Sequence, residues 1–240
     1  MKNIFLFVVF IFGVVFMQFV QGQTVDDVIN KYIDARGGLE KLKAIKSIYM
    51  EGSRQMMGNE VPVKVVIVQD KLFRNDFEFA GSSGYSIVTP TVGWTFIPMR
   101  STKPEPIPEE RLKSMQGQLD IVGPMIDYAA KGNKVELQGK ESIDGKDCYK
   151  VKVTQSNGKE STYYIDVTTN LVNQVKTMAP GQNGKMQEVI TNLSDYKSFD
   201  GVMFPQTIAN PGAGVMAGST TFDKIDINPP VDEKLYKPSN

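Results

Sequence analysis

Few side chains in this sequence are suited to catalysis. The chain contains no histidine, which removes the most common general base, the Ser–His and Cys–His nucleophile pairs and every zinc site that needs an imidazole. Its one cysteine, Cys148, stands between Asp147 and Tyr149 in an alternating strand pattern, and a lone cysteine cannot form a disulfide within the chain. We therefore predict that Cys148 is a small buried apolar side chain and not a reactive thiol.

Two pairs of adjacent carboxylates are the remaining candidates for acid and base chemistry. Asp26 and Asp27 stand at one predicted helix start, and Glu109 and Glu110 stand at another. Acids in a first helical turn offset the helix dipole, so both pairs are interpreted as helix-start residues. The glycine-rich stretch 211–218 lacks the Lys-Ser/Thr ending of a phosphate loop and runs into a predicted strand, which favours a flexible hairpin or strand edge. The sequence thus predicts a protein that is not an enzyme and needs no cofactor or metal ion.

Composition and charge are those of an ordinary globular protein. The 240 residues are 41% hydrophobic and 22% charged, which suffices for one well-buried domain. Lys plus Arg and Asp plus Glu both number 27, so the chain has no net field to attract nucleic acid or cations. We expect no nucleic-acid partner.

The longest helical pattern inside an otherwise strand-like chain is the insert, residues 104–132. Pro108 suits a first helical position, where its missing N–H is not needed. Apolar residues recur at intervals of three and four along one face: Leu112, Met115, Leu119, Val122 and Ile126. Because Pro124 cannot sit inside a helix without losing a hydrogen bond, the pattern predicts two short helices in tandem, broken near Gly123 and ending at Gly132.

An apolar insert between two blocks of strands has two interpretations, a plug or a lid. A plug fills the core permanently, as most apolar helix faces do. A lid covers a cavity that takes a lipid or another apolar ligand. Met115 and Met125 favour the lid, because unbranched side chains adapt to varied apolar partners, and the break at Gly123-Pro124 offers a hinge. The sequence pattern is compatible with both.

Residues 1–22 are predicted to be a targeting segment. Lys2 precedes a largely apolar run from Ile4 to Phe16, and Val20 and Gly22 are small residues at the two positions that a signal peptidase reads. Cleavage would leave Gln23 as the new N-terminus. An uncleaved anchor is the alternative, although a membrane span needs about 20 apolar residues.

The mature chain is predicted to open with an amphipathic helix. Thr24 and Asp27 have the spacing of a capping box. The apolar face is formed by Val25, Val28, Ile29, Tyr32 and Ile33. Gly37-Gly38 is predicted to end this helix, and a second short helical turn then leads to the first strand.

Alternating strand patterns fill the rest of the chain. Asp144-Gly145 and Asn157-Gly158 predict type I′ hairpins, because that turn needs positive φ at both central residues. Residues 182–185 and Asp200-Gly201 mark further reversals. The pattern predicts about eleven antiparallel strands, and a sheet of that size must curl. The predicted fold class is α+β: a large curved antiparallel sheet, an incomplete β-barrel, with helices on its concave face, as a single domain over residues 23–240.

Several segments resemble a known family. They are the opening Thr-Val-Asp-Asp-Val-Ile from Thr24, the helix ending at Gly37-Gly38 and the Leu-Tyr-Lys-Pro motif at 235–238, in an order of helix, strands, insert and hairpins. In these the chain resembles the outer-membrane lipoprotein-sorting proteins of the LolA-like type, over nearly the whole mature chain. The resemblance implies an incomplete barrel closed by helices, in the periplasm of a two-membrane cell, with an apolar cavity that shields acyl chains in transit.

The same resemblance implies ligands and partners. The ligand would be a lipid or an acylated lipoprotein, and membrane-bound donor and acceptor proteins would exchange it with a monomeric carrier. Carriers of this type use an arginine to hold the lid shut. The candidates in this chain are Arg54, Arg74, Arg100 and Arg111.

The predicted ligand-binding residues come from the strands and from the insert. Five aromatic residues, expected on one face, would wall the cavity: Phe73, Phe77, Phe79, Trp94 and Phe96. Five insert residues would roof it: Leu112, Met115, Leu119, Val122 and Met125. The predicted function is that of a periplasmic carrier or chaperone in outer-membrane lipoprotein sorting. The alternative is a non-enzymatic envelope interaction or scaffold protein with a filled half-barrel, in which these residues are ordinary core.

Overall fold

The computed structural model describes residues 23–56, 58–180, 185–212 and 218–239. The predicted targeting segment 1–22, three residues of the predicted reversal at 182–185 and the middle of the glycine-rich stretch 211–218 lie outside these ranges. Within them, no helix has the length and apolar character needed to cross a membrane.

Two helices open the described chain, α1 (Val25–Arg36) and α2 (Leu39–Ala44). The predicted capping box is confirmed: the backbone N–H of Asp27 donates to Thr24 Oγ1 at 3.2 Å, and the N–H of Thr24 donates to Asp27 Oδ2 at 3.0 Å. Gly37 ends α1 with a φ of 117°, in the left-handed region that favours glycine. A Cβ added at Gly37 would lie 2.3 Å from the carbonyl oxygen of Gly201, so only glycine lets α1 end against that turn.

The described ranges contain thirteen strands. They are β1 (Ser47–Met56), β2 (Asn59–Val68), β3 (Leu72–Phe79), β4 (Ser82–Val88), β5 (Gly93–Phe96), β6 (Glu105–Pro106), β7 (Lys134–Ile143), β8 (Lys146–Thr154), β9 (Glu160–Asp166), β10 (Val172–Pro180), β11 (Met186–Phe199), β12 (Val202–Asn210) and β13 (Gly218–Ile227). A third helix, α3 (Glu109–Met115), and the 3-10 helix Gln116–Leu119 follow β6, and a second 3-10 helix, Glu233–Tyr236, follows β13.

All thirteen strands form one antiparallel sheet in which sequence neighbours pair. There are two exceptions: β1 pairs with β13 as well as with β2, and β6 does not pair with β7, so the order runs β6-β5-β4-β3-β2-β1-β13-β12-β11-β10-β9-β8-β7. Because β6 and β7 remain at opposite edges, the sheet is not closed into a barrel. The predicted open antiparallel sheet is confirmed, with thirteen strands where the pattern indicated about eleven. Strand β6 is two residues long, too short for alternation to reveal.

The two edge strands are not alike. Strand β6 has two residues, and its Pro106 has no N–H to offer a neighbouring strand. Strand β7 is ten residues long and presents exposed charged side chains, among them Lys134, Glu136 and Lys140. Its pairing with β8 shifts register between Leu137 and Lys140, at Gly139, whose φ is 101°.

One of the two predicted type I′ turns has the required geometry: Asp144-Gly145 shows φ values of 50° and 77°. The predicted reversal at Asp200-Gly201 has the same geometry, with φ values of 48° and 76°. The type I′ prediction is wrong at Asn157-Gly158, where only Gly158 has a positive φ, of 83°. Thr154 pairs with Glu160, which leaves a longer loop between β8 and β9 than a two-residue turn allows, and such loops are built on other turn types.

The main core lies on the inner face of the sheet, the face that α1 and α2 cover. Its buried residues include Val28, Ile29 and Ile33 of α1 together with Ile48, Val65, Val151, Ile165, Phe204 and Phe222 of the strands. On the opposite face lies the outer cluster, formed by Val66, Leu72, Tyr85 and Ile87 and covered by the C-terminal segment, residues 229–239. Cys148 is buried, as predicted, and burial raises the pKa of its thiol.

Candidate binding site beneath the helical insert

The insert divides into two halves with different surroundings. The first half, α3 and the 3-10 helix, packs in the insert cluster, which consists of Val88, Ile107, Leu112 and Leu119 with Phe73 and Met115 at its margin. The second half places Val122, Met125 and Ile126 in the main core, where the latter two are only 2% and 0% exposed. The second half is therefore core, as the plug interpretation expects, whereas the first half packs in a cluster of its own.

The prediction of a second helix in the insert is wrong. Residues 120–132 form turns and not a helix. Gly123 and Asp127 have φ values of 88° and 54°, which no right-handed helix contains, and Pro124 has no N–H to donate. Three helix-breaking positions within five residues outweigh the apolar periodicity that predicted the helix.

Side-chain contacts fasten the second half of the insert. Tyr128 Oη donates a hydrogen bond to Asp26 Oδ1 on α1 at 2.6 Å, and this bond raises the pKa of the Tyr128 phenol. Lys131 Nζ donates to Asp120 Oδ2 at 2.7 Å and to the carbonyl oxygen of Gly123 at 2.9 Å. This half is therefore joined to α1 by a hydrogen bond and to itself by an ion pair.

A pocket of about 540 Å³ opens beside the first half of the insert, and we call it the apolar pocket. Its walls come from the β4–β5 turn, from β5 and β6 and from α3: Pro90, Thr91, Val92, Gly93, Trp94, Pro106, Ile107, Glu109, Leu112, Lys113 and Gln116. Ligand pockets typically measure about 300–1,000 Å³ and have mostly apolar walls. The apolar pocket meets both criteria and brings Trp94 and Leu112 together.

Local sequence explains how α3 approaches the sheet so closely. A Cβ added at Gly93 would lie 3.0 Å from the Cδ1 atoms of both Ile107 and Leu112, so glycine at this position lets the insert cluster form. Gln116 Nε2 donates to the carbonyl oxygens of Thr89 at 3.1 Å and Leu112 at 3.3 Å. The bond to Thr89 joins the end of α3 to the β4–β5 turn, and the bond to Leu112 stays within the helical segment.

The charged groups of the apolar pocket neutralise each other. Glu109 and Lys113 form an ion pair one helical turn apart, with Oε1 and Nζ separated by 2.7 Å. Their hydrogen bond lowers the pKa of the Glu109 carboxyl and raises the pKa of the Lys113 ammonium. Because these are the two charged residues that line the pocket, it carries no net charge and suits an uncharged apolar group.

The ten predicted ligand-binding residues lie in several surroundings. Leu112, Met115, Leu119 and Phe73 belong to the insert cluster, Val122, Met125 and Phe77 to the main core, Trp94 and Phe96 to the outer cluster, and Phe79 is half-buried at the end of β3. The expectation that all five aromatic residues share one face is wrong. The reason is register: β5 pairs Trp94 with Ile87 and Phe96 with Tyr85, and both partners belong to the outer cluster.

Sequence reasoning missed several residues of the apolar pocket. Ile107 lies between two prolines, and Val92 and Gln116 lie outside the apolar periodicity of the insert. The flanking prolines were the available signal for Ile107. Pro106 and Pro108 restrict the backbone around Ile107 to few conformations, so the direction of its apolar side chain is largely fixed.

Arg74 holds the C-terminal segment. The side chain is 5% exposed and forms an ion pair with Asp76, with Nη2 and Oδ1 at 2.8 Å. Its guanidinium also donates to the carbonyl oxygens of Leu235 at 3.2 Å and Lys237 at 3.4 Å, and to Ser239 Oγ at 3.2 Å. Arg74 thus secures residues 235–239 on the outer face, away from the insert.

The acidic pairs have the structural roles predicted for them. Asp27 completes the cap of α1, and Glu109 is paired with Lys113 in the first turn of α3. Over the described ranges, no three or more His, Cys, Asp or Glu side chains are grouped in a way that would hold a metal ion.

Comparison with solved structures finds similar folds at low sequence identity. A DUF1329 family protein from Desulfovibrio piger matches with a TM-score of 0.56 and 13% identity, over 90% of this chain and 98% of that one. A LolA superfamily protein from Nitrosomonas europaea matches with a TM-score of 0.57 and 11% identity, over 90% and 99%. A putative outer membrane lipoprotein-sorting protein domain from Vibrio parahaemolyticus matches with a TM-score of 0.51 and 11% identity, over 88% and 94%.

Comparisons at the level of sequence find no counterpart. No protein-family model matches the chain, and no curated protein matches it. The likeness is therefore one of fold alone, and it extends over 94–99% of the three solved structures. The chain has the LolA-like fold.

Proposed function

We propose that this protein is a periplasmic carrier that shelters an acyl chain of a lipid or an acylated lipoprotein in the apolar pocket. The observation that carries the proposal is the pocket itself, with its volume of about 540 Å³, its apolar walls and its self-neutralised ion pair. An acyl chain offers only apolar surface, and burial of that surface drives binding without a charged partner. The LolA-like fold, which includes a lipoprotein-sorting domain among its members, supports the same class of function.

In this proposal the first half of the insert is the lid. Moving α3 and the 3-10 helix outward breaks the insert cluster and the hydrogen bond from Gln116 to the carbonyl oxygen of Thr89. The main core stays intact, because Val122, Met125 and Ile126 remain in place. Because the 3-10 helix ends at Leu119 and Val122 stays in the core, residues 120–121 serve as the hinge, just before the predicted break at Gly123-Pro124. Membrane-bound donor and acceptor proteins would load and unload the carrier.

The most direct test of the proposal is to identify any lipid that is isolated together with the protein. We expect native mass spectrometry of protein isolated from the periplasm to show bound lipid or fatty acid. Delipidated protein should gain thermal stability from palmitate or a triacylated lipopeptide, since a ligand that binds only the folded state stabilises it. Protein that carries no lipid and shows no such gain would refute the proposal.

A substitution that fills the apolar pocket locates the site. Val92 lines the pocket and is 45% exposed, so Val92→Trp should narrow the pocket without adding a buried group. We expect this variant to lose most of the stabilisation that palmitate gives. Met178→Trp is the matched control, because Met178 is 51% exposed on β10 and lies away from the pocket. Equal loss in both variants would place the ligand elsewhere.

The second candidate function is that of an envelope interaction or scaffold protein. The packed inner face favours it, because α1 and the second half of the insert fill the space over the main core. A scaffold would stay free of lipid and would be captured on a protein partner. The lipid analysis above therefore separates the two functions.

A further inference from the structure

A second and larger pocket lies on the outer face, against the C-terminal segment. Its volume is about 770 Å³. One wall comes from the start of β1, the end of β2 and the β2–β3 turn, and the other comes from the C-terminal segment. We call it the basic pocket for the charges described next.

Four lysines and a single acid line the basic pocket. The lysines are Lys46, Lys71, Lys234 and Lys237, and the acid is Glu233. None of the four lysines forms an ion pair with another residue of the described ranges, and all four are exposed. Four positive charges against one negative charge leave a local net charge of +3, in a chain whose basic and acidic residues together number 27 each. Such a local excess attracts anions.

Apolar side chains lie beside these charges. Val68, Val231 and Tyr236 line the basic pocket and also pack against the outer cluster. Burial, with the nearby Glu233 carboxylate, raises the pKa of the Tyr236 phenol. The phenol is therefore protonated at neutral pH and can donate a hydrogen bond to an anionic oxygen.

We propose that the basic pocket binds the phosphate of a phospholipid headgroup. Lysine ammonium groups bind phosphate oxygens as point charges, and Val68, Val231 and Tyr236 offer apolar surface to the glycerol and the first acyl carbons. The volume is within the range of about 300–1,000 Å³ typical of ligand pockets. Free phosphate shares the anionic chemistry but has no use for the apolar surface. This site is separate from the apolar pocket and does not depend on the function proposed for it.

Calorimetric titration with a short-chain lipid tests the proposal. The probe is dihexanoyl phosphatidylglycerol below its critical micelle concentration, compared with inorganic phosphate and with dihexanoyl phosphatidylcholine. We expect phosphatidylglycerol to bind most tightly, because it joins a net negative headgroup to apolar carbons. Inorganic phosphate that binds as tightly as phosphatidylglycerol would overturn the assignment to a lipid.

Charge-matched variants locate the binding. The double substitution Lys71→Glu with Lys234→Glu should weaken phosphatidylglycerol binding at least tenfold, and the milder Lys71→Gln with Lys234→Gln should weaken it less. The control, Lys134→Glu with Lys159→Glu, changes the net charge equally at two exposed lysines outside the pocket and should bind as the unmodified protein does. Equal loss in test and control would show an effect of bulk charge and overturn the proposal. Val92→Trp should leave this binding unchanged, which separates it from the apolar pocket.

Discussion

The apolar pocket and the basic pocket lie against the same sheet and differ in how their charges are arranged. In the apolar pocket, Glu109 and Lys113 are within 2.7 Å of each other and cancel. In the basic pocket, four lysines face one Glu233, and none of them has a carboxylate partner within the described ranges. Each pocket is bounded on one side by a peripheral segment, the first half of the insert in one case and the C-terminal segment in the other.

The difference shows that overall composition conceals local chemistry. A chain with 27 basic and 27 acidic residues has no net charge, yet its two pockets differ in local charge through the pairing of a few side chains. A cancelled pair leaves hydrophobic burial as the driving force, whereas an unpaired group of lysines adds a salt-dependent attraction.

Aspartate substitutions in the two halves of the insert should have the largest effect. Met125 is 2% exposed in the main core, so Met125→Asp buries a carboxylate there and should abolish cooperative unfolding, at a cost of several kcal/mol. Leu119 is 5% exposed in the insert cluster. Leu119→Asp should release α3 while the domain stays folded, with loss of palmitate binding. Circular dichroism during heating, with hydrogen exchange at residues 109–119, measures both; a Leu119→Asp protein that unfolds completely would show that the insert has no separable lid.

Loss of Arg74 should destabilise the wall of the basic pocket. Arg74→Ala removes an ion pair with the partly exposed Asp76 and three hydrogen bonds to the C-terminal segment, and we expect a loss of about 2–3 kcal/mol in the free energy of unfolding. Urea denaturation gives that value, and limited proteolysis reports release of residues 229–239. Arg74→Lys keeps the charge but loses the planar fork, so its effect should be intermediate. Palmitate binding should not change, and a parallel loss there would contradict the separation of the pockets.

Added salt should weaken ligand binding in the basic pocket and not in the apolar pocket. The Debye length falls from about 10 Å at 0.1 M salt to about 3 Å at 1 M. We therefore expect binding of dihexanoyl phosphatidylglycerol to weaken several-fold over this range, while binding of an uncharged acyl ligand such as monopalmitoyl glycerol does not weaken. Calorimetry at both salt concentrations measures the two affinities. Equal salt dependence would mean that both ligands use the same site.

Lowering the pH should leave the apolar pocket with a positive charge, as the basic pocket has, and this is the smallest of the expected effects. The pKa of Glu109 is lowered by its hydrogen bond with Lys113, so the stabilisation that this pair gives α3 is present above the usual pKa of glutamate. It is lost as the pH falls through the lowered value. Below that pH, Lys113 leaves the pocket with a positive charge. An NMR titration of Glu109 measures the shift, and Lys113→Ala should return the pKa toward its usual value; an unchanged titration in that variant would contradict the assigned cause.

Local signals in the sequence predicted the frame of the fold. The capping box at Thr24, the glycine that ends α1 and two of the Asp-Gly turns were predicted from residues that determine backbone geometry on their own. The open antiparallel sheet followed from alternation. Strand β6 and the loop at Asn157-Gly158 were not predictable, because both depend on the register in which neighbouring strands pair and not on the turn residues alone.

The candidate site was only partly predictable, for the same reason. Periodicity identified Leu112 and Leu119 as buried insert residues, but it continued through Gly123 and Asp127, where the backbone leaves the helix. The aromatic residues of β3 and β5 alternate equally well, and only strand pairing decides that Trp94 lies on the face opposite Phe73. The basic pocket had no sequence signal, because its lysines are up to about 190 residues apart and converge through the fold.

The unequal edges of the sheet bear on self-association. An open sheet exposes unpaired N–H and C=O groups at both borders and invites a second molecule to extend it. Here one border is two residues long and ends in Pro106, and the other carries Lys134, Glu136 and Lys140 beside a register shift. A copy docking edge to edge would meet either a border too short to pair with or a border whose exposed charges must be desolvated and whose register is interrupted at Gly139. We therefore expect an individual molecule in dilute solution, and light scattering would reveal any polymer.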